Sequence, residues 1–244
     1  MGKFLLKDVE IRAGAYDISA DSNQLAVEET YAEVENTAFG ATSHTALPGI
    51  PKVTLNFSGY AEANSADPQV DDVIENYLAA AKTPMSFCPV TAAEGAVCYF
   101  TEGMLLSAQR GGSVGEMYGF TVGGTGQGSF LVRGSILATE ALTTTGDGTA
   151  LQVGAVTAAQ KVYAVMHVLA ASGTSPTLDM VVESDDAVGM ASATPRITFA
   201  QATDITSEFK SLAGAITDDW WRVSYTIGGT GTPSFTVLVA VGIR

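Results

Sequence analysis

The chain has 244 residues and a formal net charge of −14 at pH 7, with 46% hydrophobic and only 16% charged residues. This apolar content excludes an acidic disordered chain, and 26 glycines without a three-residue period exclude a collagen-like one. The charge also argues against a surface that grips nucleic acid, because phosphate binding needs clustered Lys and Arg, and the 12 in this chain are scattered.

The sequence predicts neither membrane insertion nor a disulfide framework. No apolar run approaches the roughly 20 residues that span a bilayer, and no basic segment followed by an apolar stretch opens the chain. Cys88 and Cys98 are the only cysteines, and they lack the CxxC spacing of zinc or redox sites. We therefore expect buried free thiols in a protein made in the cytoplasm of a cell.

Short apolar runs rich in Val, Thr and Phe, separated by turns that contain glycine, dominate the first half of the chain. Such runs predict β-strands. Val53, Leu55 and Phe57 alternate with polar residues, so their strand should have one face in a core. The predicted strands are Phe4–Ile11, Gln24–Val34, Val53–Ala61, Met85–Cys88, Val97–Gln109, Met117–Val122 and Phe130–Ala138.

The segment Glu35–Lys52, between the second and third predicted strands, has no apolar period. It contains Phe39, Leu47 and Ile50 together with glycine and proline. A connection of this length without a pattern of its own is more often a functional arm than a simple turn. We predict an arm that is poorly ordered in the free subunit, since its apolar residues cannot bury themselves locally.

One amphipathic helix is predicted at Asp67–Ala81. Asp67 suits the N-cap position and Pro68 suits the first helical turn. Its apolar residues have the spacing of one buried face, and they are Val70, Val73, Ile74, Tyr77 and Leu78. The helix should therefore pack against a core through this face.

Residues 139–149 are polar and turn-forming, which predicts a boundary near Thr143 between two domains, 1–142 and 143–244. The apolar runs beyond the boundary have the spacing of a small β-sandwich. These runs are Ala150–Val156, Val162–Ala170, Thr177–Ser184, Arg196–Ala200, Trp220–Ile227 and Ser234–Val241. The segment Tyr225–Phe235 also echoes Phe120–Phe130, and both are interpreted as strand, glycine-rich turn and strand, by shared hairpin chemistry or by duplication.

The sequence lacks the residue patterns of catalysis, cofactor binding and metal binding. The glycines of residues 123–128 have the wrong spacing for a dinucleotide fingerprint. His44 and His167 fall in different predicted domains, and neither has a partner at metal-ligand spacing. Asp185-Asp186 and Asp218-Asp219 lack the spacing of a calcium loop and are interpreted as solvated turn acids. We therefore expect no catalytic residue, no cofactor and no metal, and hence a protein that is not an enzyme.

Trp220 and Trp221 are candidates for a binding surface, because exposed aromatic side chains stack well on sugar rings. Adjacent residues of a strand point to opposite sides, so at least one of the two should lie in the core. The role of the other residue stays open.

Several short segments of residues 1–142 follow one another in an informative order. They are Gly14–Ser19, Ala38–Gly40, Leu47–Gly49, Val53–Gly59, the predicted helix, Thr83-Pro84, Gly111–Glu116 and Leu131–Gly134. In this order and spacing, the first 142 residues resemble the major tail tube proteins of long-tailed, non-contractile bacteriophages. Residues 143–244 are similar only to phage structural β-sandwiches in general.

The resemblance implies a mainly β fold: an N-terminal β-sandwich or barrel with one flanking helix, followed by a small C-terminal β-sandwich on the tube exterior. It implies homohexameric rings that stack into the tail tube of the virion, with the tape measure protein and passing DNA in the lumen and other tail proteins at the ends. The Glu35–Lys52 arm resembles the family loop that reaches the neighbouring ring. The interface residues so implied are Phe39, His44, Leu47, Pro48 and Ile50.

Two other classes of protein also fit a chain without catalytic residues. A capsid decoration or other virion protein would form trimers or monomers on a shell. A carbohydrate-binding module of a tail fibre or secreted glycan enzyme would use Trp220 and Trp221. The size of the purified oligomer separates the first class from a tail tube protein, and sugar binding separates the second.

Overall fold

The computed structural model describes residues 6, 8–40, 42–60, 70–128 and 130–244. These residues form 14 β-strands and one short helix, which confirms the predicted mainly β fold. In the first half the elements are β1 (Glu10–Ala13), β2 (Tyr16–Asp17), β3 (Ser22–Glu35), β4 (Ala46–Tyr60), α1 (Val70–Tyr77), β5 (Thr83–Cys88), β6 (Val97–Gly111), β7 (Gly119–Gly126) and β8 (Val132–Leu142). In the second half they are β9 (Gly146–Asp147), β10 (Leu151–Gln152), β11 (Lys161–Asp185), β12 (Thr194–Thr198), β13 (Thr206–Ala213) and β14 (Trp220–Ile243).

The strands of the first half form antiparallel pairs around one hydrophobic core. β4 pairs with β3 and β7, β6 pairs with β5, β7 and β8, and β5 pairs with β1. Val53, Leu55 and Phe57 are all buried, as their alternation predicted. Other members of this core are Ile11, Ile18, Val70, Val73, Ile74, Met85, Phe87, Leu105, Phe120 and Val122.

Helix α1 buries Val70, Val73 and Ile74 in this core, and the partly buried Tyr77 packs against it, which confirms the predicted face at these residues. The prediction is wrong for Leu78, which follows the helix and is 42% exposed. The proposed cap residues at positions 67 and 68 lie outside the described residues. The helix ends at Tyr77 and does not continue to position 81, because the backbone turns left-handed at Ala79 (φ 61°) and the Ala79 amide donates to the Leu105 carbonyl of β6. The prediction of the C-terminal end was therefore wrong by about one turn.

The second half is built on one long ribbon. β11 and β14 pair from Val162 opposite Ile243 to Asp185 opposite Trp220. Register shifts at residues 168–177 of β11 mark bulges near the middle, where Gly173 and Gly229 have positive φ values. Bulges and positive φ values let a strand bend sharply without ending.

The bend corrects two sequence-based expectations. Val162–Ala170 and Thr177–Ser184 are parts of the single strand β11, so the predicted break between them is wrong. The segment Tyr225–Phe235 lies within β14 and is not a hairpin. In its sequence echo, Gly123–Gly126 likewise lie within one strand, β7, which pairs with β4 and β6. Glycine and serine in these segments supply a corner in a continuous strand and not a reversal of the chain.

The bend brings the two halves of the ribbon together as two layers. Val162, Met166 and Val168 from one side of the bend share a core cluster with Met180 and Val182 from the other side. β13 and β8 flank the ribbon on the first side, whereas β9, β10 and β12 flank it on the second. The second half is therefore a small β-sandwich, as predicted.

Strand β8 joins the two halves of the chain. Its beginning pairs with β6, and most of its length pairs with β14 up to Leu142 opposite Phe235. A further core cluster packs Phe100 and Ile136 against Val165 and Leu238, and it contains the two cysteines as buried free thiols. The domain boundary at 142/143 stays a prediction. A chain ending at Leu142 would lose the pairing of β8 with β14 and the packing against Val165 and Leu238.

His167 of β11 is buried at this junction. Its Nδ1 lies 2.6 Å from the Gly14 carbonyl oxygen, which can only accept, so Nδ1 carries the proton. Its Nε2 then accepts from the Ser86 hydroxyl at 2.7 Å. Burial lowers the pKa of His167 to about 4. A neutral imidazole thus links β11 to the first half of the chain.

We expect His167 to make folding stability depend on pH. In the unfolded chain a histidine has a pKa of about 6.5, so the unfolded state binds a proton at this residue below that pH. The folded state binds this proton only near pH 4 and below. The stability that the neutral His167 contributes is complete above the unfolded-state pKa of about 6.5, and it is lost as the pH falls toward the folded-state pKa of about 4. Lowering the pH from about 7.5 to about 5 should cost about 2 kcal/mol at this residue.

The measurement is urea unfolding of the native chain and of His167→Gln at both pH values. Gln keeps one donor and one acceptor but does not titrate. The variant is expected to be less stable at neutral pH and to lose less stability on acidification. An equal loss in both proteins would contradict the role assigned to His167.

Candidate assembly surface

An arm formed by β3 and β4 projects from the first half of the chain. β3 pairs only with β4, and β7 pairs with β4 only from Thr54 to Tyr60. The arm observed in the structure, residues 31–50, therefore begins earlier than the predicted Glu35–Lys52 arm, and it extends beyond the third strand as a two-stranded ribbon. Described residues 31–40 and 42–48 are exposed, so neither face of the ribbon is covered along that length.

The structure corrects the prediction that Glu35–Lys52 is irregular. Leu47, Pro48 and Ile50 lie in β4, and only the tip between Glu35 and Ala46 connects the strands. A register shift between Tyr31 and Glu33 of β3, where β4 has an extra residue, obscured the alternation expected of a strand. No alternation survives in the sequence because both faces of the ribbon are exposed.

Apolar side chains are concentrated on this arm. Phe39 at the tip is completely exposed, Ile50 is 84% exposed and Leu47 is 56% exposed. Tyr31 and Val34 are exposed as well. An isolated apolar side chain on a surface needs no explanation, but a cluster of this kind on a projecting ribbon is typical of an interaction surface.

Polar contacts close the tip of the arm. The Asn36 amide donates to the Thr45 carbonyl at 3.0 Å, and the Thr45 amide donates to the Thr37 hydroxyl at 3.0 Å. His44 lies 3.5 Å from Glu35 and 3.8 Å from Glu33, and all three side chains are exposed. His44 is thus placed on the same ribbon as the apolar residues, where an exposed polar contact of this kind adds little stability.

Arg244 fixes the base of the arm. Its guanidinium donates to Glu29 at 2.8 Å, to the Leu131 carbonyl at 2.7 Å and to the Tyr31 hydroxyl at 2.6 Å. It also lies 4.5 Å from the centre of the Phe130 ring. No local pattern predicts this contact, because Arg244 and Glu29 are far apart in the chain.

A pocket of about 600 Å³ lies beside the beginning of β3. Its apolar wall is formed by Val9, Ile11, Leu25, Val27, Phe87 and Leu131. Ser22, Asn23 and Gln24 add polar groups. The sequence did not predict the pocket, since its lining, which also includes Tyr99, comes from five separate segments of the chain.

The two tryptophans have different environments. Trp221 is fully buried, and its indole nitrogen donates to the Gly154 carbonyl at 2.9 Å. The prediction that at least one of the pair lies in the core is confirmed, and Trp221 is corrected from a candidate surface residue to a core residue. Trp220 is half-buried on the opposite face of β14.

The aspartates near β14 make contacts within the fold. Asp218 accepts from the Ser184 hydroxyl and from Arg196, each at 2.7 Å, and these contacts lower the pKa of Asp218. Asp185 accepts from the Ala187 and Ser192 amides and so closes a turn. In the described part of the chain, no group of His, Cys, Asp and Glu side chains has the arrangement of a metal site.

Within the described ranges, no helix is long and apolar enough to cross a bilayer.

No protein-family model and no curated protein matches the sequence. Among solved structures, one similar chain is the Dit protein of phage SPP1, described as a paradigm of the hub adsorption apparatus in phages that infect Gram-positive bacteria. It is 12% identical with a TM-score of 0.38, and the alignment covers 98% of this chain and 100% of the Dit chain. Another is the SPP1 tail tube, 11% identical with a TM-score of 0.38, with coverage of 50% of this chain and 75% of the other. Both TM-scores are too low to establish a shared fold.

We expect the arm to gain order on assembly. A two-stranded ribbon alone is marginally stable in water, so the amides of residues 31–35 and 46–50 should exchange rapidly in the free subunit. Hydrogen exchange followed by mass spectrometry should show slower exchange there in an assembled sample. Residues 54–58 of β4, which have β7 as a third strand, are the internal control and should change little. Equal protection of the arm in both samples would remove the idea.

Proposed function

We propose that this chain is a structural protein of a bacteriophage tail, and that its copies form stacked homohexameric rings that make the tail tube. The observation that carries the proposal is the arm. Its ribbon extends beyond the sheet and exposes Phe39, Leu47 and Ile50 without a partner in the described part of the chain. Such a surface is costly to leave in water and is stabilised when a second molecule covers it.

The distribution of exposed apolar side chains supports a division of labour between the halves. Among the described residues, every large exposed hydrophobic side chain belongs to residues 6–118 except Val188, Ile205 and Leu212. We propose that residues 1–142 make the contacts of the ring and tube, and that residues 143–244 lie on the exterior. Phe39, His44, Leu47, Pro48 and Ile50 are the proposed contacts between subunits.

The charge of the chain fits a conduit for DNA. With a net charge of −14, a lumen built from many copies would repel phosphates and leave DNA mobile. The tape measure protein and the passing DNA are the proposed lumen partners, and other tail proteins are the proposed partners at the tube ends. We include the six-fold ring and these partners in the proposal because residues 1–142 resemble major tail tube proteins in sequence.

The proposal is tested by light scattering, which measures the mass of the particles that the purified full chain forms across a range of concentrations. The proposal predicts particles of six copies of the 25.2 kDa chain, or multiples of six. A trimer would favour capsid decoration instead. A monomer that persists at high concentration would contradict self-assembly.

A further inference from the structure

The pocket beside β3 and the tip of the arm lie at opposite ends of the same hairpin. The pocket wall includes Leu25 and Val27, which pair with Phe57 and Leu55 of β4. The tip follows Glu35, after β3 has left the core. A strand advances about 3.3 Å per residue, so roughly 26–33 Å of β3 separates Val27 and Leu25 in the pocket wall from Glu35, and Phe39 lies beyond that.

The pocket has the character of a site for an apolar anchor. Its volume of about 600 Å³ lies within the range of pockets that enclose a small molecule. The pocket is therefore larger than a single aromatic ring and has room for one. Its apolar wall suits an aromatic side chain, and the amides of Asn23 and Gln24 could hold the polar backbone around it. Strong contacts between proteins are commonly made by one aromatic residue buried in such a pocket.

The same chain presents an aromatic residue of this kind at the other end. Phe39 is completely exposed at the tip of the arm. A pocket at one end and a matching anchor at the other make a head-to-tail contact between copies, which repeats without closing when the copies are related by translation. The arm is too far from its own pocket to fill it, because the β3–β4 pairing holds it extended.

We propose that the pocket beside β3 receives Phe39 from the arm of a second copy of this chain in the next ring. The inference rests on the proposed function, because it assumes that rings stack. It adds the receiving site to the arm that the proposed function already places between rings.

The test is cross-linking between copies that carry single new cysteines. Ala38→Cys places a thiol beside Phe39 and leaves the anchor in place, and Asn23→Cys places one at the pocket. The two native cysteines are buried and do not compete. Equal amounts of the two variants are mixed, assembled and oxidised. The matched control replaces Asn23→Cys with Val114→Cys, which is fully exposed on the loop between β6 and β7, outside the pocket.

The proposal predicts a cross-linked dimer for the Asn23→Cys mixture in assembled samples and little for the Val114→Cys mixture. Tubes that form with a cross-link only to Val114→Cys, or with none, would overturn the pocket contact and leave the proposed tube intact. If the native chain forms neither rings nor tubes, both proposals fail.

A second variant tests the pocket without cysteines. Val27→Trp fills the pocket and should raise the concentration needed for assembly about tenfold or more, the effect of losing one good anchor. Val188→Trp makes the same substitution at an exposed site in the second half, outside the pocket, and should change that concentration little. Melting temperatures of both variants confirm that the subunits are folded. Assembly of folded Val27→Trp at the native concentration would overturn the proposal.

Discussion

Leu47→Asp is expected to stop tube growth while leaving the subunit folded. Leu47 is 56% exposed on the arm, so the substitution removes little buried surface from the subunit itself. At an interface it would bury a charge without a partner, which costs more than deleting the side chain. An anchor of this kind contributes about 2 kcal/mol or more at one interface, and a tube repeats the interface at every subunit. Electron microscopy should show folded, unassembled particles.

Phe39→Ala should act in the same direction, because it removes the exposed ring at the tip. Ile74→Ala is the contrasting control, since Ile74 lies on the buried face of helix α1 and is part of the core. It should cost about 2–5 kcal/mol of folding stability and lower the melting temperature. Circular dichroism on the three variants separates loss of folding from loss of assembly. A Leu47→Asp protein that still forms full-length tubes would remove the arm from the interface.

Trp221→Ala should cause the largest loss of folding stability, about 3–5 kcal/mol. The side chain is fully buried in the core of the second half, and its removal also leaves the Gly154 carbonyl without the indole donor. Trp220→Ala is the matched control on the neighbouring residue. It is half-buried and should cost less, because its surroundings can be filled by water.

The measurement is denaturant unfolding of both tryptophan variants. A larger loss for Trp221→Ala supports the assignment of the two faces of β14. Equal losses would contradict it. The same variants test the sugar-binding alternative, because only Trp220 is exposed enough to stack on a ring.

The sequence predicted elements well where burial leaves a local pattern. The alternation at Val53, Leu55 and Phe57 and the spacing of Val70, Val73 and Ile74 both record one buried face, and both were correct. Strand β13, Thr206–Ala213, was missed because its residues are half-buried or exposed and include Glu208 and Lys210. The continuity of β11 and β14 was missed because glycine and serine at a bulge have the same local pattern as a turn.

The candidate surface was predicted only in its approximate location. Proline and unpatterned apolar residues indicated an arm. They did not indicate that its two strands are paired, with Tyr31 opposite Pro51. The Arg244 contacts and the pocket depend on pairing between distant segments, which no local pattern records. The burial of Trp221 and not Trp220 likewise depends on the register of β14 with β10 and β11.

Electron microscopy of the purified full chain tests the central claim most directly. We predict rings at moderate concentration and stacked tubes at higher concentration. Isolated monomers at every concentration, with the fold intact by circular dichroism, would contradict the assignment of this chain as a self-assembling tail tube protein.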